Sequence, residues 1–382
     1  MPSNESEKAI LVLDPSVNGR RVRAQSGPAC HPTRSGANAE KRSLETKRPR
    51  TVPEARQAEA TTSLLRRTGN ARSPLIIVTG GRLQNGESLR SAEAYIIDEE
   101  RWVPLPEMNI PRYLHSVVAI DNRVVVSGGD TGPERTDTIE ILNLNEAPLR
   151  WIISDARLRV PLCAHQTVAR EGKLIVIGGN DENDDPGTVG NSNKIYEVDL
   201  VHPYSTRILC FLPQPMSWHG AEMINDRIFI FGGGRGFTNP YNQISVYDPS
   251  TNTCHQSVQG LPHRVQGLAA VIWSNRVLLL GGVDAGGQEL NTVISYNVTS
   301  GVTRPLVSMQ QRRGGCTAVI HTIQGQQQQQ ERGVIVALGS LGDLHTVERC
   351  VLGTNAWSDM RPTLEARQLF TSNTAAVFQP VF

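Results

Sequence analysis

Residues 123–130 read RVVVSGGD, an apolar run that ends in a small polar residue and two glycines. Versions of this run recur as LIIVTGG, KLIVIGGN, RIFIFGGG, RVLLLGGV and the degraded VIVALGS. The first glycines of the six copies are Gly80, Gly128, Gly178, Gly232, Gly281 and Gly339, which gives steps of 48, 50, 54, 49 and 58 residues. A period of about 50 residues, with several short strands in each unit, indicates the blades of a β-propeller and not a helical solenoid.

Each unit contains four β-rich runs separated by turn residues. In the second unit these are HSVVAI, RVVVSGG, TIEILNL and RWIIS, and a two-residue turn, Asp121-Asn122, joins the first two. Such a pattern predicts a small antiparallel sheet. Its inner strands are apolar on both faces because neighbouring blades cover them. We therefore predict an all-β, six-bladed propeller.

The two ends of the repeat region predict how the ring closes. The first unit begins with LIIVTGG, which corresponds to the second strand of a blade, so its innermost strand is missing. Residues 374–378, TAAVF, match HSVVAI in pattern. We expect this C-terminal strand to complete the N-terminal blade, which leaves no open sheet edge in the circle.

The units resemble kelch repeats, whose marks are a glycine pair, a Tyr about a dozen residues later and a Trp about seven residues after that. Tyr95 and Trp102 fit fully, while other units keep only part of the pattern and the glycine pair fails at Gly339-Ser340. The resemblance covers residues 74–380 and implies a six-bladed kelch β-propeller. The residues expected to have a structural role are Gly80, Gly81, Tyr95, Trp102, Gly128, Gly129, Trp151, Gly178, Gly179, Tyr196, Gly232, Gly233, Tyr247, Gly281, Gly282, Tyr296, Gly339 and Trp357.

The charge of the chain is divided unevenly. Residues 1–72 carry 14 Lys/Arg against 7 Asp/Glu, and residues 73–382 carry 24 against 30. The first segment has no sustained apolar period, so we predict a disordered basic tail over 1–72 and a propeller over 73–382. An acidic propeller repels phosphate backbones, which makes nucleic-acid binding an unlikely function of the folded part.

The cysteines and the apolar runs bear on the compartment. The six cysteines show no spacing typical of metal ligands, and no run has the length of a membrane span. These features favour a reducing, cytoplasmic location. The basic cluster between Lys41 and Arg50 resembles a nuclear-localisation signal, a motif that matches many unrelated sequences.

Two kinds of loop are expected on one face of the disc: the loops after the glycines and the loops between blades. Arginines recur in both, and guanidinium groups at a common rim suit carboxylates or phosphates. The predicted partner-binding residues are Arg82, Arg112, Tyr113, Arg135, Arg159, Trp218, Arg235, Phe237, Tyr241, Arg264, Arg312, Arg313 and Arg367. The alternative is that several of these arginines pair with Asp or Glu nearby.

No arrangement of residues predicts a catalytic site, a metal site or a cofactor. His115, His165 and His219 stand at equivalent positions one blade apart, which argues against a shared ion. The Glu, Asp and His pattern of iron-dependent kelch specifier proteins finds only Glu222 and Asp226, with Ile230 in the third place. Absence of a motif does not exclude a site assembled across blades.

The predicted function is a non-catalytic protein-interaction module. In the Kelch-like adaptor proteins that the units resemble, the loop-bearing face commonly captures peptide segments. We expect a monomeric propeller that binds an acidic or phosphorylated peptide, as an adaptor for ubiquitination or as a scaffold. Two alternatives remain: a small-molecule isomerase or lyase that uses the central pocket, and a cytoskeletal, actin-associated scaffold that uses the blade edges.

Overall fold

The computed structural model describes residues 74–181, 190–236, 238–324, 331–340, 345–354, 356–365, 367 and 375–378. The basic tail and Phe237 lie outside the described residues. Six four-stranded antiparallel sheets make up the fold, and they confirm the all-β, six-bladed prediction. In the described part of the chain, the short 3-10 turn Ile97–Glu99 is the helical element, and no helix is long and apolar enough to cross a membrane.

Each blade has four strands, ordered from the innermost to the outermost. Blade I is β28 (Ala375–Phe378), β1 (Leu75–Thr79), β2 (Ala92–Ile96) and β3 (Arg101–Leu105). Blade II is β4 (Ser116–Ile120), β5 (Arg123–Ser127), β6 (Thr138–Asn143) and β7 (Trp151–Arg157). Blade III is β9 (Gln166–Arg170), β10 (Lys173–Ile177), β12 (Lys194–Val198) and β13 (Thr206–Phe211).

The remaining three blades follow the same order. Blade IV is β14 (Ser217–Ile224), β15 (Arg227–Gly234), β16 (Ile244–Asp248) and β17 (Thr253–Gln256). Blade V is β19 (Ala269–Trp273), β20 (Arg276–Leu280), β22 (Val293–Asn297) and β23 (Thr303–Pro305). Blade VI is β24 (Thr317–Gln324), β25 (Glu331–Leu338), β26 (Val347–Val351) and β27 (Trp357–Asp359). Two short strand pairs join loops. In one, β8 (Leu162–Cys163) pairs with β11 (Asn180–Asp181), and in the other, β18 (Val265–Gln266) pairs with β21 (Val283–Asp284).

The ring closes as the sequence predicts. The C-terminal β28 pairs antiparallel with β1, from Leu75 opposite Phe378 to Val78 opposite Ala375. The same strand lies beside β24 on one side and β4 on the other. The inner strands β4, β9, β14, β19, β24 and β28 therefore form a continuous circle around a central channel.

The glycine pairs are explained by close approach of backbones between blades. Gly80 has a φ of 56°, and a Cβ there would lie 2.4 Å from the carbonyl oxygen of Arg112. At Gly128 the same distance to the carbonyl oxygen of Leu162 is also 2.4 Å. A side chain is excluded at both positions, so each blade can pack against the link that enters the next blade.

Buried histidines connect successive blades at the same level. The imidazole Nε2 of His115 lies 2.9 Å from Thr79 Oγ1, and that of His165 lies 3.1 Å from Ser127 Oγ. His219 is also fully buried and bonds the backbone at Ile177. Burial lowers the pKa of both His165 and His219 to about 3, so these rings are neutral at physiological pH.

We expect removal of the closing strand to unfold the ring. Deletion of residues 372–382 opens β1 and exposes both flanking inner strands, so the truncated chain should be insoluble or lose its cooperative melting transition. Deletion of residues 379–382, which leaves β28 intact, is the matched control. A soluble 372–382 deletion that melts cooperatively at the wild-type temperature would contradict the closure.

We also expect acid to destabilise the fold through the buried histidines. A neutral buried imidazole contributes stability above its ordinary pKa of 6.5, and that stability is lost as pH falls toward the lowered value. His219→Leu introduces the residue that blade V carries at this position, Leu268. Between pH 7 and pH 5.5 the wild type should lose about 1 kcal/mol more unfolding free energy than this variant. Denaturant titrations with equal pH dependence would contradict the assignment.

Candidate partner-binding face and central channel

The two kinds of loop predicted to share a face are joined by hydrogen bonds. The amide of Tyr113, in the link between blades I and II, donates to the carbonyl of Asp130 after the glycine pair at 3.0 Å. The pairs β8 with β11 and β18 with β21 make the same connection in later blades. We call the surface formed by these links and post-glycine loops the loop face.

Three of the predicted rim arginines are buried instead, which corrects their expected exposure on that face. The side chains of Arg112, Arg313 and Arg367 are 0%, 0% and 1% exposed. A guanidinium group without solvent-accessible surface cannot meet a partner while the propeller stays folded. We therefore leave these three residues out of the candidate surface.

Arg112 shows why these side chains are buried. Its Nη2 lies 2.7 Å from Glu140 Oε1, and its Nη1 donates to the carbonyl of Gly128 at 2.6 Å. The Glu140 carboxylate also accepts from the amide of Asn109 at 2.7 Å and from that of Ile110 at 3.1 Å. The ion pair thus fixes the link between blades I and II to the third strand of blade II.

The same arrangement recurs in two further blades. Arg313 Nε lies 2.7 Å from Glu348 Oε1 in blade VI, and Arg367 Nη2 lies 2.6 Å from Glu93 Oε1 in blade I. Burial raises the pKa of Glu93, and the charge of Arg367 opposes that shift. Blades VI, I and II therefore share one buried ion-pair motif.

Blades III, IV and V lack this ion pair and carry other residues at the equivalent positions. The arginine is replaced by Leu162, Met216 and Val265, and the glutamate by Lys194, Ser245 and Ile294. In the sequence, the arginine lies three residues before the position equivalent to His115, and the glutamate lies two residues before the position of the repeat Tyr. The two residues occur together in three units, and the other three units carry neither of them. The joint occurrence of this arginine and this glutamate in the same three units is visible in the sequence. The kelch pattern of glycines, Tyr and Trp does not include either residue, so it does not indicate that they form an ion pair.

Three tryptophans of the repeat pattern, Trp102, Trp151 and Trp357, stabilise the same blades. The indole Nε1 of Trp102 donates to the carbonyl of Arg361 at 3.0 Å. That of Trp151 donates to the carbonyl of Pro106 at 2.9 Å, and that of Trp357 to the carbonyl of Val307 at 3.1 Å. Each acceptor lies in the link that enters the blade of its tryptophan. Blades VI, I and II are consequently held to their incoming links by both an ion pair and an indole.

Other predicted arginines are exposed, on loops of blades IV to VI. Arg235 follows the glycines of blade IV, Arg264 precedes β18, and Arg312 donates to the carbonyl of Glu289 at 3.2 Å. All three are exposed, and within the described residues no carboxylate forms an ion pair with them. Arg159 is exposed as well, at the outer end of the link into blade III, 3.5 Å from Thr206 Oγ1.

Tyr113 organises a more rigid group between blades I and II. The guanidinium carbon of Arg82 lies 4.8 Å from the centre of the Tyr113 ring. The Tyr113 hydroxyl bonds the carboxylate of Asp130, and burial raises the pKa of Tyr113 to about 12. Arg135 is half-buried in the same loop and opposes the burial-raised pKa of Asp130. These side chains form a partly exposed polar patch.

Trp218 and Tyr241 lie beside backbone that carries the loop face. Trp218 is half-buried and packs against the cluster of Tyr113, Leu114, Cys163 and Ala164. Tyr241 is half-buried, and its amide donates to the carbonyl of Gly233 at 2.6 Å. Both are partly accessible aromatic side chains of the predicted set, while Phe237 lies outside the described residues.

A series of backbone hydrogen bonds connects blades II to VI at the loop-face end of the inner strands. Its members all have positive φ, and they are Leu114, Ala164, Trp218, Gly267 and Gly315. From Ala164 onward, the amide of each donates to the carbonyl of the preceding member, at 2.8, 3.1, 2.7 and 2.9 Å in order. We call these five residues the belt, because they tie blades II to VI together around the axis.

Beyond the belt the channel contains a cavity of about 330 Å³. Residues of β4, β9, β14, β19 and β24 line it, and nearly all are apolar. Among the described residues, no group of three or more His, Cys, Asp or Glu side chains could hold a metal ion. Ile230, in the third place of the Glu222 and Asp226 pattern, is an apolar residue buried in β15.

We predict that the buried ion pair acts as one unit in stability. Arg112→Met should lower the unfolding free energy by about 3 kcal/mol because it leaves Glu140 buried without its cation. Arg112→Met combined with Glu140→Ser copies the blade IV residues Met216 and Ser245, and should recover at least about 1 kcal/mol of that loss. Denaturant titrations of both single variants and the double variant measure this. Simple additivity of the two single effects would contradict it.

Comparison with known proteins gives the family. A family model described as "KLHDC2/KLHL20/DRC7 Kelch-repeats domain" matches residues 164–379, more than half of the chain, and a Kelch motif model matches residues 111–146. The solved structure of YjhT superposes with a TM-score of 0.58 at 14% identity, covering 69% of this chain and 88% of that one. At this identity the likeness concerns the fold alone.

Relatives among curated proteins point the same way. Kelch-like protein 35 of Mus musculus is 23% identical over 298 residues, which cover 65% of this chain and 49% of that protein. Alpha-scruin of Limulus polyphemus is 28% identical over 163 residues, 41% of this chain and 17% of that protein. The chain thus spans about half the length of the Kelch-like protein it matches. With the repeat geometry, these matches show that the chain belongs to the kelch-repeat family of β-propellers.

Proposed function

We propose that this propeller is a protein-interaction module that binds an acidic segment of a partner on its loop face. The observation that carries the proposal is the set Arg235, Arg264 and Arg312, which are exposed on loops of blades IV to VI without a carboxylate partner among the described residues. Membership of the kelch family and similarity to Kelch-like proteins support an interaction role.

The chemistry of the three side chains suits carboxylate or phosphate groups. An arginine fork donates two parallel hydrogen bonds to either group, and charge-assisted bonds of this kind are stronger than neutral ones. The folded part as a whole is acidic, with 24 Lys/Arg against 30 Asp/Glu over residues 73–382. Attraction of an acidic partner must therefore be local to these loops, which favours a short segment over a large acidic surface.

Aromatic side chains beside the arginines would add apolar contact. Tyr241 contributes a half-buried ring near Arg235, whose charge opposes the burial-raised pKa of the Tyr241 hydroxyl. Tyrosine and arginine are among the residues most enriched at the positions that contribute most of the binding energy in interfaces. In this proposal the module serves an adaptor or scaffold, with substrate recognition for a ubiquitin ligase as one such role.

Affinity purification under reducing conditions tests the proposal with two matched variants. The loop-face variant carries Arg235→Ala, Arg264→Ala and Arg312→Ala. The control carries Arg150→Ala, Arg304→Ala and Arg332→Ala, which removes the same charge from exposed arginines outside these loops. We expect partners of the wild type to be retained by the control and reduced at least about tenfold by the loop-face variant.

Binding of synthetic peptides then tests the chemistry of the partner. An acidic or phosphorylated peptide from a captured partner should bind more weakly as salt rises, because exposed charge pairs are screened. Equal partner recovery by the loop-face variant and the control would contradict the assignment of this face. Binding that is indifferent to both salt and peptide charge would contradict the acidic segment.

A further inference from the structure

The cavity of the central channel is separate from the loop face. The residues that line it, such as Val118, Val168 and Val319, lie in the middle of the inner strands. The belt stands at the loop-face end of those strands. The cavity therefore lies on the far side of the belt from the proposed partner.

Glu222 is the one titratable side chain among the residues that line this cavity. The equivalent positions of the other described inner strands are apolar, namely Val118, Val168, Val271, Val319 and, in β28, Ala376. Within the described residues, no side chain forms an ion pair or hydrogen bond with the Glu222 carboxyl. Glu222 is thus the one inner-strand residue at this level with a carboxyl group among apolar residues.

The surroundings of Glu222 contain no other charge that would stabilise it. On β9 and β19 the lining residues are Thr167, Val168, Ala169, Val271 and Ile272. The residue opposite Glu222 on β15 is Phe229, and the sequence of β28, AAVF, carries no titratable side chain. On its own strand His219 is neutral, since burial lowers its pKa to about 3. Burial raises the pKa of Glu222 to about 8, so a bare carboxyl is mostly protonated at pH 7.

Backbone groups supply the remaining polarity of the channel. In every blade the innermost strand pairs with its own sheet on one side only. Its other edge therefore presents N–H and C=O groups toward the axis. A bound cation with several N–H donors could donate to these carbonyl oxygens, and the Glu222 carboxylate could neutralise its charge. The apolar residues of the lining would contact the rest of the ligand.

We propose that the channel cavity binds a small organic cation, a primary ammonium on an apolar body, with the ammonium paired to Glu222. The apolar body lies against the apolar residues that line the cavity, and the ammonium donates to the carboxylate and to strand-edge carbonyls. A volume of about 330 Å³ is at the small end of ligand pockets, which limits the ligand to a compact molecule. Anions are disfavoured because no cationic side chain lines the cavity.

Binding of such a ligand expels a proton. The ammonium favours the ionised carboxylate, so Glu222 loses the proton that it holds in the empty cavity. Because burial raises the pKa of Glu222 to about 8, ligand binding at pH 7 should release a proton from this carboxyl. This release distinguishes pairing with Glu222 from adsorption elsewhere on the acidic propeller.

Calorimetric titration tests the proposal with cyclohexylammonium, n-hexylammonium and phenethylammonium as probes and cyclohexanol as the uncharged reference. The wild type should bind at least one ammonium saturably, with proton release read from buffers of different ionisation enthalpy. Glu222→Gln should bind it at least tenfold more weakly, while Glu134→Gln, an exposed loop-face change of the same kind, should bind as the wild type does. Cyclohexanol should not distinguish the variants.

Two binding results would each overturn the proposal. One is the absence of saturable binding for all three ammonium probes, and the other is equal binding by wild type and Glu222→Gln. A ligand-free measurement adds an independent check. A raised carboxyl pKa gives stability that is present at low pH and lost as pH rises, so the wild-type melting temperature should fall relative to Glu222→Gln between pH 5 and 8. A constant difference would mean that Glu222 is solvated, and would contradict the site.

Discussion

The approach of one blade's glycine pair to the backbone of the next link is the constraint on which this propeller depends. At Gly80 and Gly128 only 2.4 Å separates the position of a Cβ from a carbonyl oxygen of the neighbouring link. That contact brings His115 and His165 within hydrogen-bonding distance of the preceding blade. It also sets the spacing at which the belt can connect blades II to VI. The channel, its cavity and the loop face all follow from this spacing.

The ring is built from two kinds of blade. Blades VI, I and II hold their incoming links by a buried Arg–Glu pair and an indole hydrogen bond, and they include the blade that β28 completes. Blades III, IV and V have apolar or short residues in the arginine position. A buried ion pair adds little net stability compared with apolar packing, but it fixes geometry because either charge alone is costly. The motif therefore stabilises the part of the ring where β28 pairs with β1.

The blade count and the closing strand could be predicted because both depend on a local pattern repeated at a fixed period. The burial of Arg112, Arg313 and Arg367 could not, since the repeat pattern places all link arginines in one loop without resolving their offset. Arg312 and Arg313 are adjacent, yet one is exposed and the other has no exposed surface. The position of Glu222 in the channel cavity could not be predicted either, because the strands around it are far apart in the sequence and come together only when the ring closes.

The neighbouring pair Arg312 and Arg313 tests the central claim that the loop face binds through the arginines left outside the ion-pair motif. Arg312→Ala and Arg313→Ala remove the same side chain one residue apart, and each variant can be measured for melting temperature and for partner retention per folded molecule. The account predicts that Arg312→Ala melts as the wild type does and binds partners more weakly. It predicts that Arg313→Ala melts at a lower temperature and, where folded, retains its partners. Loss of partners by folded Arg313→Ala with full retention by Arg312→Ala would contradict it.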